Sequence, residues 1–342
     1  MSKNYLITGG AGFIGSNYAR RLLQRGENVT IFDNLSRHGA ADNLKWVEQE
    51  AGQKDFRFLQ GDVRDLEALR IAVQEQDVVV HLAAQVAVTT SVEDPRTDFE
   101  INANGTFNVL EAARLHGRKP VMIYASTNKV YGGLEDLEIV EESTRYHISQ
   151  YPQGIDESRS LDFHSPYGCS KGTGDQYMHD YARIYDIPTV VFRQSCIYGT
   201  RQFGVEDQGW VAWFIIAILL GKTIKIYGDG KQVRDLLFVE DLLDAYDAAI
   251  ANPQISAGQI FNVGGGAQNA ISIWKEFAPL LEKVHGQTIP TELHGWRPGD
   301  QKVYISDISK IKRQLNWEPR YDIQTGIQAL YDWASKNKAL FA

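Results

Sequence analysis

The stretch that most constrains this chain lies at its start. Tyr5-Leu6-Ile7-Thr8 is a short apolar run that passes at once into Gly9-Gly10-Ala11-Gly12-Phe13-Ile14-Gly15. A helical pattern follows through Arg25 and is closed by Gly26; a second apolar run, Asn28–Phe32, then ends on Asp33. A glycine turn between a strand and a helix, with an acid closing the next strand, has a physical meaning. Gly10 and Gly12 permit the tight turn and a close approach of backbone to a pyrophosphate, and Gly15 lets helix and strand pack closely. The helix N-terminus offers N–H donors and a positive dipole end to phosphates. Without the flanking strands the glycine spacing would carry little weight; with them it points to a dinucleotide.

The alternation continues. Phe56–Leu59, Asp77–Leu82, Val121–Tyr124 and Thr189–Arg193 read as further strands, with helical patterns between them, notably near Asp98–His116. Apolar strands alternating with helices predict an α/β chain built on a doubly wound, parallel Rossmann sheet covered on both faces. Ligands of such sheets sit beyond the carboxyl ends of the strands. Gly9–Gly15, Asp33, Asp62, Val63, Ala83, Ala84, Gln85, Ser126, Thr127 and Ser195 all fall there. From Tyr198 the regular alternation breaks, which predicts a smaller, mixed α/β C-terminal substrate lobe. The expected division is a dinucleotide-binding domain over 1–195 and a substrate lobe over 196–342, interleaved near 235–265. Tyr131–Phe163, polar and acid-rich with Gly132-Gly133 and Pro152, reads as a long surface excursion, either a rim or lid or a plain connection.

Ser165-Pro166-Tyr167-Gly168-Cys169-Ser170-Lys171 supplies the chemistry. Tyr167 and Lys171 are four residues apart, so a helix over Tyr167–Tyr185 places them on one face. A phenol titrates near 10; a neighbouring ammonium favours the phenolate and makes the pair suited to taking a proton from a sugar hydroxyl. A hydroxyl from Ser126 or Thr127 can orient the same oxygen. As an isolated pair, Tyr-x-x-x-Lys is ordinary helix decoration, and its weight comes from the dinucleotide turn upstream.

Composition narrows the class. The chain has 342 residues, a net charge of −8 and no long basic run, which disfavours nucleic acid as ligand. Cys169 and Cys196 are its only cysteines, too few for a disulfide framework or a cysteine zinc site, and no metal is expected. The longest apolar run, Val211–Leu220, is short for a bilayer and reads as a buried helix. No basic, apolar leader precedes the first strand, so a cytoplasmic protein is expected.

Four motifs occur in order: Thr8–Gly15; Ser126-Thr127-Asn128-Lys129-Val130-Tyr131-Gly132; Tyr167-x-x-x-Lys171; and Arg234-Asp235-Leu236-Leu237-Phe238-Val239-Glu240-Asp241. Together they make the chain resemble the extended short-chain dehydrogenase/reductases that act on nucleotide sugars. Within that family the likeness is greatest to the CDP-paratose 2-epimerase branch, through Phe32–Arg37, Ser126–Gly132, Leu161–Gly172 and Asp207–Val211. The resemblance implies NAD as cofactor, a CDP-sugar as substrate, and a homodimer or homotetramer formed through helices like Asp98–His116 and Tyr167–Tyr185. It implies Thr127, Tyr167 and Lys171 as catalytic residues. The expected cofactor set is Gly9, Gly12, Phe13, Ile14, Gly15, Asp33, Asn34, Ser36, Arg37, Asp62, Val63, Leu82, Ala83, Ala84, Gln85, Asn102, Ser126, Tyr167, Lys171 and Gln194. The expected substrate set is Ser126, Thr127, Ser195, Arg201, Gln208, Trp210, Tyr227, Arg234 and Arg297. Relatives that dehydrate their substrate carry an acidic pair after the Thr, where this chain has Asn128-Lys129. The implied reaction is thus epimerisation, with a UDP-sugar 4-epimerase, a 4,6-dehydratase and a non-catalytic NAD-binding regulator as rivals.

Overall fold

The computed structural model describes residues 2–52, 54–297 and 300–341. It divides into two compact units. The first runs to Thr127, resumes over Ser165–Arg193 and closes with Leu243–Phe261; the second comprises Asn128–His164, Gln194–Leu242 and the chain from Asn262 onward.

The first unit is organised on seven strands: β1 (Asn4–Thr8), β2 (Asn28–Asp33), β3 (Phe56–Gln60), β4 (Val78–His81), β5 (Val121–Thr127), β6 (Thr189–Gln194) and β7 (Gln259–Val263). Their order is β7-β6-β5-β4-β1-β2-β3, so the chain works outward from β1 in one direction and then the other. The pairs β1–β2, β2–β3, β1–β4 and β4–β5 are parallel. All four residues of β4 are buried, as a strand covered on both faces requires. This is the doubly wound sheet expected from the alternation.

Helix α1 (Phe13–Gln24) buries Ala19, Leu22 and Leu23, a three–four spacing that makes one apolar stripe. It ends where Gly26 takes a left-handed φ of 78°. Helix α2 (Gly105–His116) and the long α3 (Ser165–Tyr185) bring Val109, Leu110 and Met178 onto Leu6, Val79, Met122 and Val191 of the sheet. The helix expected over Asp98–His116 is not uniform. Pro95–Phe99 is α-helical, Glu100–Asn104 is a π turn, and α2 follows. Such widened turns re-aim side chains locally; this one carries Asn102.

The second unit is built round the strand Val233–Phe238. It pairs with Cys196–Tyr198 and Val303–Tyr304 in parallel and with Ala270–Ser272 antiparallel. Beside it lie α4 (Trp210–Leu219), a two-stranded sheet of Ile224–Tyr227 with Thr291–His294, and the start of α5 (Val239–Ala251). The segment expected as a surface excursion is a correction. After the turn at Asn128–Tyr131 it forms an antiparallel hairpin, Ile139–Glu141 with Tyr146–Ile148. Its Tyr131, Leu134, Tyr146, Ile148 and Ile155 are buried with Val233, Val303 and Tyr304. The acids advertised a surface; the apolar residues spaced between them form part of this unit's core. Helix α4 buries Val211, Ile215 and Ile216, and no helix among the described residues is long and apolar enough to cross a membrane.

Candidate active site

The glycine turn of the first unit is dictated by space. Gly9 has φ 69°, and a Cβ there would lie 2.6 Å from the backbone nitrogen of Ala83, in the loop after β4. A Cβ on Gly15 would lie 2.5 Å from the carbonyl oxygen of Gly9. The turn is therefore pressed between α1 and the β4 loop, and only hydrogen fits at either position. Gly12 is the N-cap of α1 and no side chain caps that end, so its first-turn N–H groups face outward with the positive end of the dipole. Such an end, with Phe13 and Ile14 in its first turn, could hold a pyrophosphate.

Asp33 closes β2, and its carboxylate accepts from the Ala11 N–H at 3.0 Å and the Leu35 N–H at 2.8 Å. Burial raises its pKa, opposed by those two bonds. The acid thus ties the glycine turn to the β2 loop, and its carboxylate has further lone pairs that could accept from a hydroxyl. In that loop Asn34 donates to Asp62 at 2.9 Å, and the Ser36 N–H donates to the Asn34 oxygen. Arg64 grips Asp62 with two nitrogens at 2.9 and 2.8 Å, which holds that carboxyl well below its ordinary range. Val63 is buried, and Asn108 donates to its carbonyl. Leu82 donates its N–H to the Thr8 carbonyl, so the loop Leu82–Gln85 continues from β4 along β1. Asn102, delivered by the π turn, accepts from the Gln85 N–H at 2.9 Å and donates to the Gln85 carbonyl at 3.0 Å. It is a clamp on that loop.

Strand β5 delivers Ser126 and Thr127, and they diverge as neighbours in a strand must. Thr127 hydrogen-bonds the Tyr167 phenol oxygen. Ser126 points the other way and donates to the buried Asp175 carboxylate at 2.7 Å. Asp175 is in turn gripped by Arg193 through Nε at 2.9 Å and a terminal nitrogen at 2.9 Å. Of the two hydroxyls, the one beside the Tyr167 phenol is Thr127.

Tyr167 stands in the first turn of α3, entered through Ser165 at φ 69°; its N–H donates to Ser91 at 3.1 Å. Burial pushes its pKa up to about 12, against the Thr127 hydrogen bond; Asp98 adds to the rise and Arg37 opposes it. The expectation that Lys171 lowers this phenol is not met. The Lys171 ammonium lies over the Tyr124 ring, 4.2 Å from its centroid. Burial pulls Lys171 down to about 7, and Asp175 and Asp98 push it back up. Tyr124 is itself held by its hydroxyl on the Lys171 carbonyl at 3.2 Å and by stacking on His81. His81 bridges Thr8 at 2.7 Å and Thr106 at 3.0 Å, and burial with the Lys171 charge pulls it down to about 3. The lysine thus rests on an aromatic face, buried, within the electrostatic reach of two carboxylates and a neutral imidazole.

Several of these partners are absent from the sequence-based set. Asp175 stands four residues after Lys171 on one helix, a spacing that signals contact. Arg193, the β6 partner of Asp175, and Asp98, four residues before Asn102, carry weaker signals.

The second unit holds the remaining expected residues. Gln194 is buried. The Ser195 hydroxyl donates to the buried Asp235 at 2.5 Å, whose pKa burial lifts to about 6 against that bond and the Ser306 and Gly266 N–H groups. Arg234 is buried, donating to the Val233 carbonyl and to Asp300 at 2.8 Å. Lys129 donates to Gln301 at 3.1 Å and is pulled down to about 8 by burial and by Arg234. Arg297 lies over the Tyr227 ring at 3.9 Å and pairs with Asp207 at 2.8 Å; Tyr227 donates to Glu206. Arg201, with φ 66°, is buried with its guanidinium over Trp333. Gln208 forms a backbone bridge with Val205, and Trp210 packs edge-on against Phe214 and Phe277. Among the described residues no cluster of three or more His, Cys, Asp or Glu side chains is placed to hold a metal.

A glycine turn between strand and helix, an acid closing β2, and a Thr–Tyr pair with a buried lysine define a dinucleotide-binding short-chain dehydrogenase/reductase of the extended type. Residues 6–330 match the family model described as GDP-mannose 4,6 dehydratase, and the chain belongs to that family. It is 46% identical over 337 residues to the CDP-paratose 2-epimerase of Salmonella typhi, covering 96% of this chain and 98% of that one. It is 34% identical over 323 residues to a UDP-glucose 4-epimerase of Mycolicibacterium smegmatis, covering 94% and 95% of the two chains. Among solved structures, the Thermus thermophilus UDP-glucose 4-epimerase in complex with NAD superposes with a TM-score of 0.80 at 31% identity, covering 96% of this chain and 98% of that one.

Proposed function

We propose that the chain is an NAD-dependent epimerase that interconverts CDP-paratose and CDP-tyvelose by transient oxidation at C2 of the sugar. The enzyme class is nucleotide-sugar modification on a Rossmann fold with NAD as cofactor. The observation that carries the chemistry is the Thr127 hydroxyl on the Tyr167 phenol, with Asn128 and Lys129 in the two positions that follow. The substrate assignment is supported by the 46% identity, over nearly the full length of both chains, to the Salmonella typhi enzyme.

Gly9, Gly12 and Gly15 with the first turn of α1 would hold the pyrophosphate of NAD, Asp33 the adenosine ribose, and Lys171 the nicotinamide ribose. Bound NAD supplies the acceptor, and then the donor, of hydride at the carbinol carbon. The protein's own residues manage the proton. Tyr167 takes it from the sugar hydroxyl as the carbonyl forms and returns it on reduction; Thr127 holds the phenol oxygen in line, and its hydrogen bond favours the phenolate. Inversion requires the keto sugar to present its other face between the two steps. Dehydration would further need a carboxyl group to protonate the departing hydroxyl; an amide and a cation follow Thr127 instead. Arg201, Arg234 and Arg297 are the groups suited to the diphosphate, though Arg234 and Arg297 must first loosen their hold on Asp300 and Asp207. A cytoplasmic location and a homodimer or homotetramer belong to the same reading.

The test is to supply CDP-, UDP- and dTDP-sugars to purified protein with NAD. Conversion of CDP-paratose with no net NADH accumulation is expected. Selective turnover of a UDP-sugar at C4 overturns the substrate assignment, and loss of water from the product overturns the reaction. NAD is expected to bind at least tenfold more tightly than NADP, because Asp33 would face the 2′-phosphate; equal affinities contradict that role.

A further inference from the structure

The first unit contains a buried acid that the mechanism above does not use. Asp98, in the short helix before the π turn, is 1% exposed. One of its oxygens accepts from the Ser170 hydroxyl at 2.5 Å and the other from Asn102 Nδ2 at 3.0 Å. Ser170 adjoins Lys171, and its hydroxyl is also 3.2 Å from the Tyr167 carbonyl. The acid is therefore locked onto the turn of α3 that carries both Tyr167 and Lys171. Its charge reaches both: it raises the Tyr167 phenol and supports the Lys171 ammonium. Burying a charged side chain is costly unless an opposite charge and hydrogen bonds compensate. For Asp98 the hydrogen bonds come from Ser170 and Asn102; burial raises its pKa, and those bonds with the Lys171 ammonium oppose the rise.

We propose that Asp98 is a positioning residue that keeps Lys171 protonated and thereby sets the pH range over which the Tyr167–Lys171 pair works. The proposal rests on the reading of Tyr167 and Lys171 as the acid/base pair. The groups facing Lys171 are Asp175 on its own helix, Asp98 on the preceding helical segment, neutral His81 on β4 and the Tyr124 ring on β5. Asp175 is shared with Arg193 and Ser126; among the described residues no arginine pairs with Asp98, whose hydrogen bonds come from Ser170 and Asn102. The charge that Asp98 contributes thus bears on the lysine. Removing it should let the ammonium lose its proton at lower pH. The same change relieves Tyr167 of a neighbouring negative charge, so the phenol also ionises at lower pH. Both limbs of the activity profile move to the acid side.

Asp98→Asn is nearly isosteric: its amide oxygen can accept from Asn102, and Ser170 keeps the Tyr167 carbonyl as acceptor. Lys171 is followed directly by the 13Cε resonance of labelled lysine, assigned by its disappearance in Lys171→Arg. This needs no substrate, so it decides the proposal even where the substrate assignment fails. The expected result is a Lys171 midpoint lower by roughly one pH unit in Asp98→Asn, the lower end for an opposite charge at close range. The pH profile of turnover, on whichever nucleotide sugar is converted, should move to the acid side with it. Asp98→Glu should retain the parent midpoint. If the amide variant does not fold, Asp98→Ser removes the same charge without added bulk and reads the same shift. A Lys171 midpoint unchanged in a folded charge-removing variant, or moved equally by Asp98→Glu, overturns the proposal and leaves Asp98 a packing residue.

Discussion

The Arg193–Asp175 pair gives a stability prediction with a built-in control. Their side chains are 3% and 0% exposed and joined by two bonds of 2.9 Å, while Asp175 also receives Ser126. Arg193→Met keeps most of the volume and leaves a carboxylate in the interior with no arginine against it. Breaking a buried pair from one side costs about 3–5 kcal/mol. Arg118 pairs with Asp77 at a similar 2.9 Å, but with 49% and 34% of the side chains exposed. Arg118→Met should therefore cost under about 1 kcal/mol, since water and salt already screen that pair. In Asp175→Asn/Arg193→Met neither charge remains and an amide oxygen is left for Ser126. The double variant should recover at least about 2 kcal/mol relative to the sum of the single ones. Urea denaturation followed by far-ultraviolet circular dichroism, at matched ionic strength, measures the parent, the three single variants and the double variant. The reasoning is refuted if Arg193→Met costs no more than Arg118→Met, or if the two buried substitutions simply add. Because Ser126 adjoins Thr127, the folded fraction of Arg193→Met should also turn over more slowly.

Two further outcomes follow from the site. Tyr167→Phe should lower turnover by about two to four powers of ten while NAD binding, read by calorimetry, stays within a few-fold of the parent; Thr127→Ala should cost less, because water can take the place of one hydroxyl. Gly15→Ala should abolish measurable NAD binding and lower thermal stability, since its Cβ would sit 2.5 Å from the Gly9 carbonyl oxygen; Gly26→Ala, with nothing within 4 Å of its Cβ, should leave NAD binding intact.

The doubly wound sheet was legible because each of its strands is a short apolar run and the turn after β1 admits so few side chains. The placing of Thr127 at the end of β5, and of Tyr167 and Lys171 one turn apart on α3, was legible through spacing and motif. Three things were not. The segment after Tyr131 reads as surface because acids are scattered along it and it carries Gly132-Gly133 and Pro152, yet Tyr146, Ile148 and Ile155 are buried. The direction of the Tyr167 shift depends on burial and on where the Lys171 ammonium points, which a four-residue spacing does not specify. The division of labour between Ser126 and Thr127 depends on Asp175, which reaches Ser126 across the strand–helix packing of β5 and α3. Local pattern reports the face a residue occupies; the charge waiting on that face comes from elsewhere in the chain.

The central claim, transient oxidation at C2 with Tyr167 as the proton carrier, is tested most directly by an isotope. C2 of the sugar has no adjacent carbonyl, so simple deprotonation there would leave an unstabilised carbanion. CDP-paratose carrying deuterium at C2 is turned over in ordinary water, and the product is read by mass spectrometry and NMR. The account predicts CDP-tyvelose with the deuterium fully retained at an inverted C2. Loss of the label to solvent contradicts oxidation at that carbon, and inversion at C4 with C2 untouched contradicts the assigned substrate.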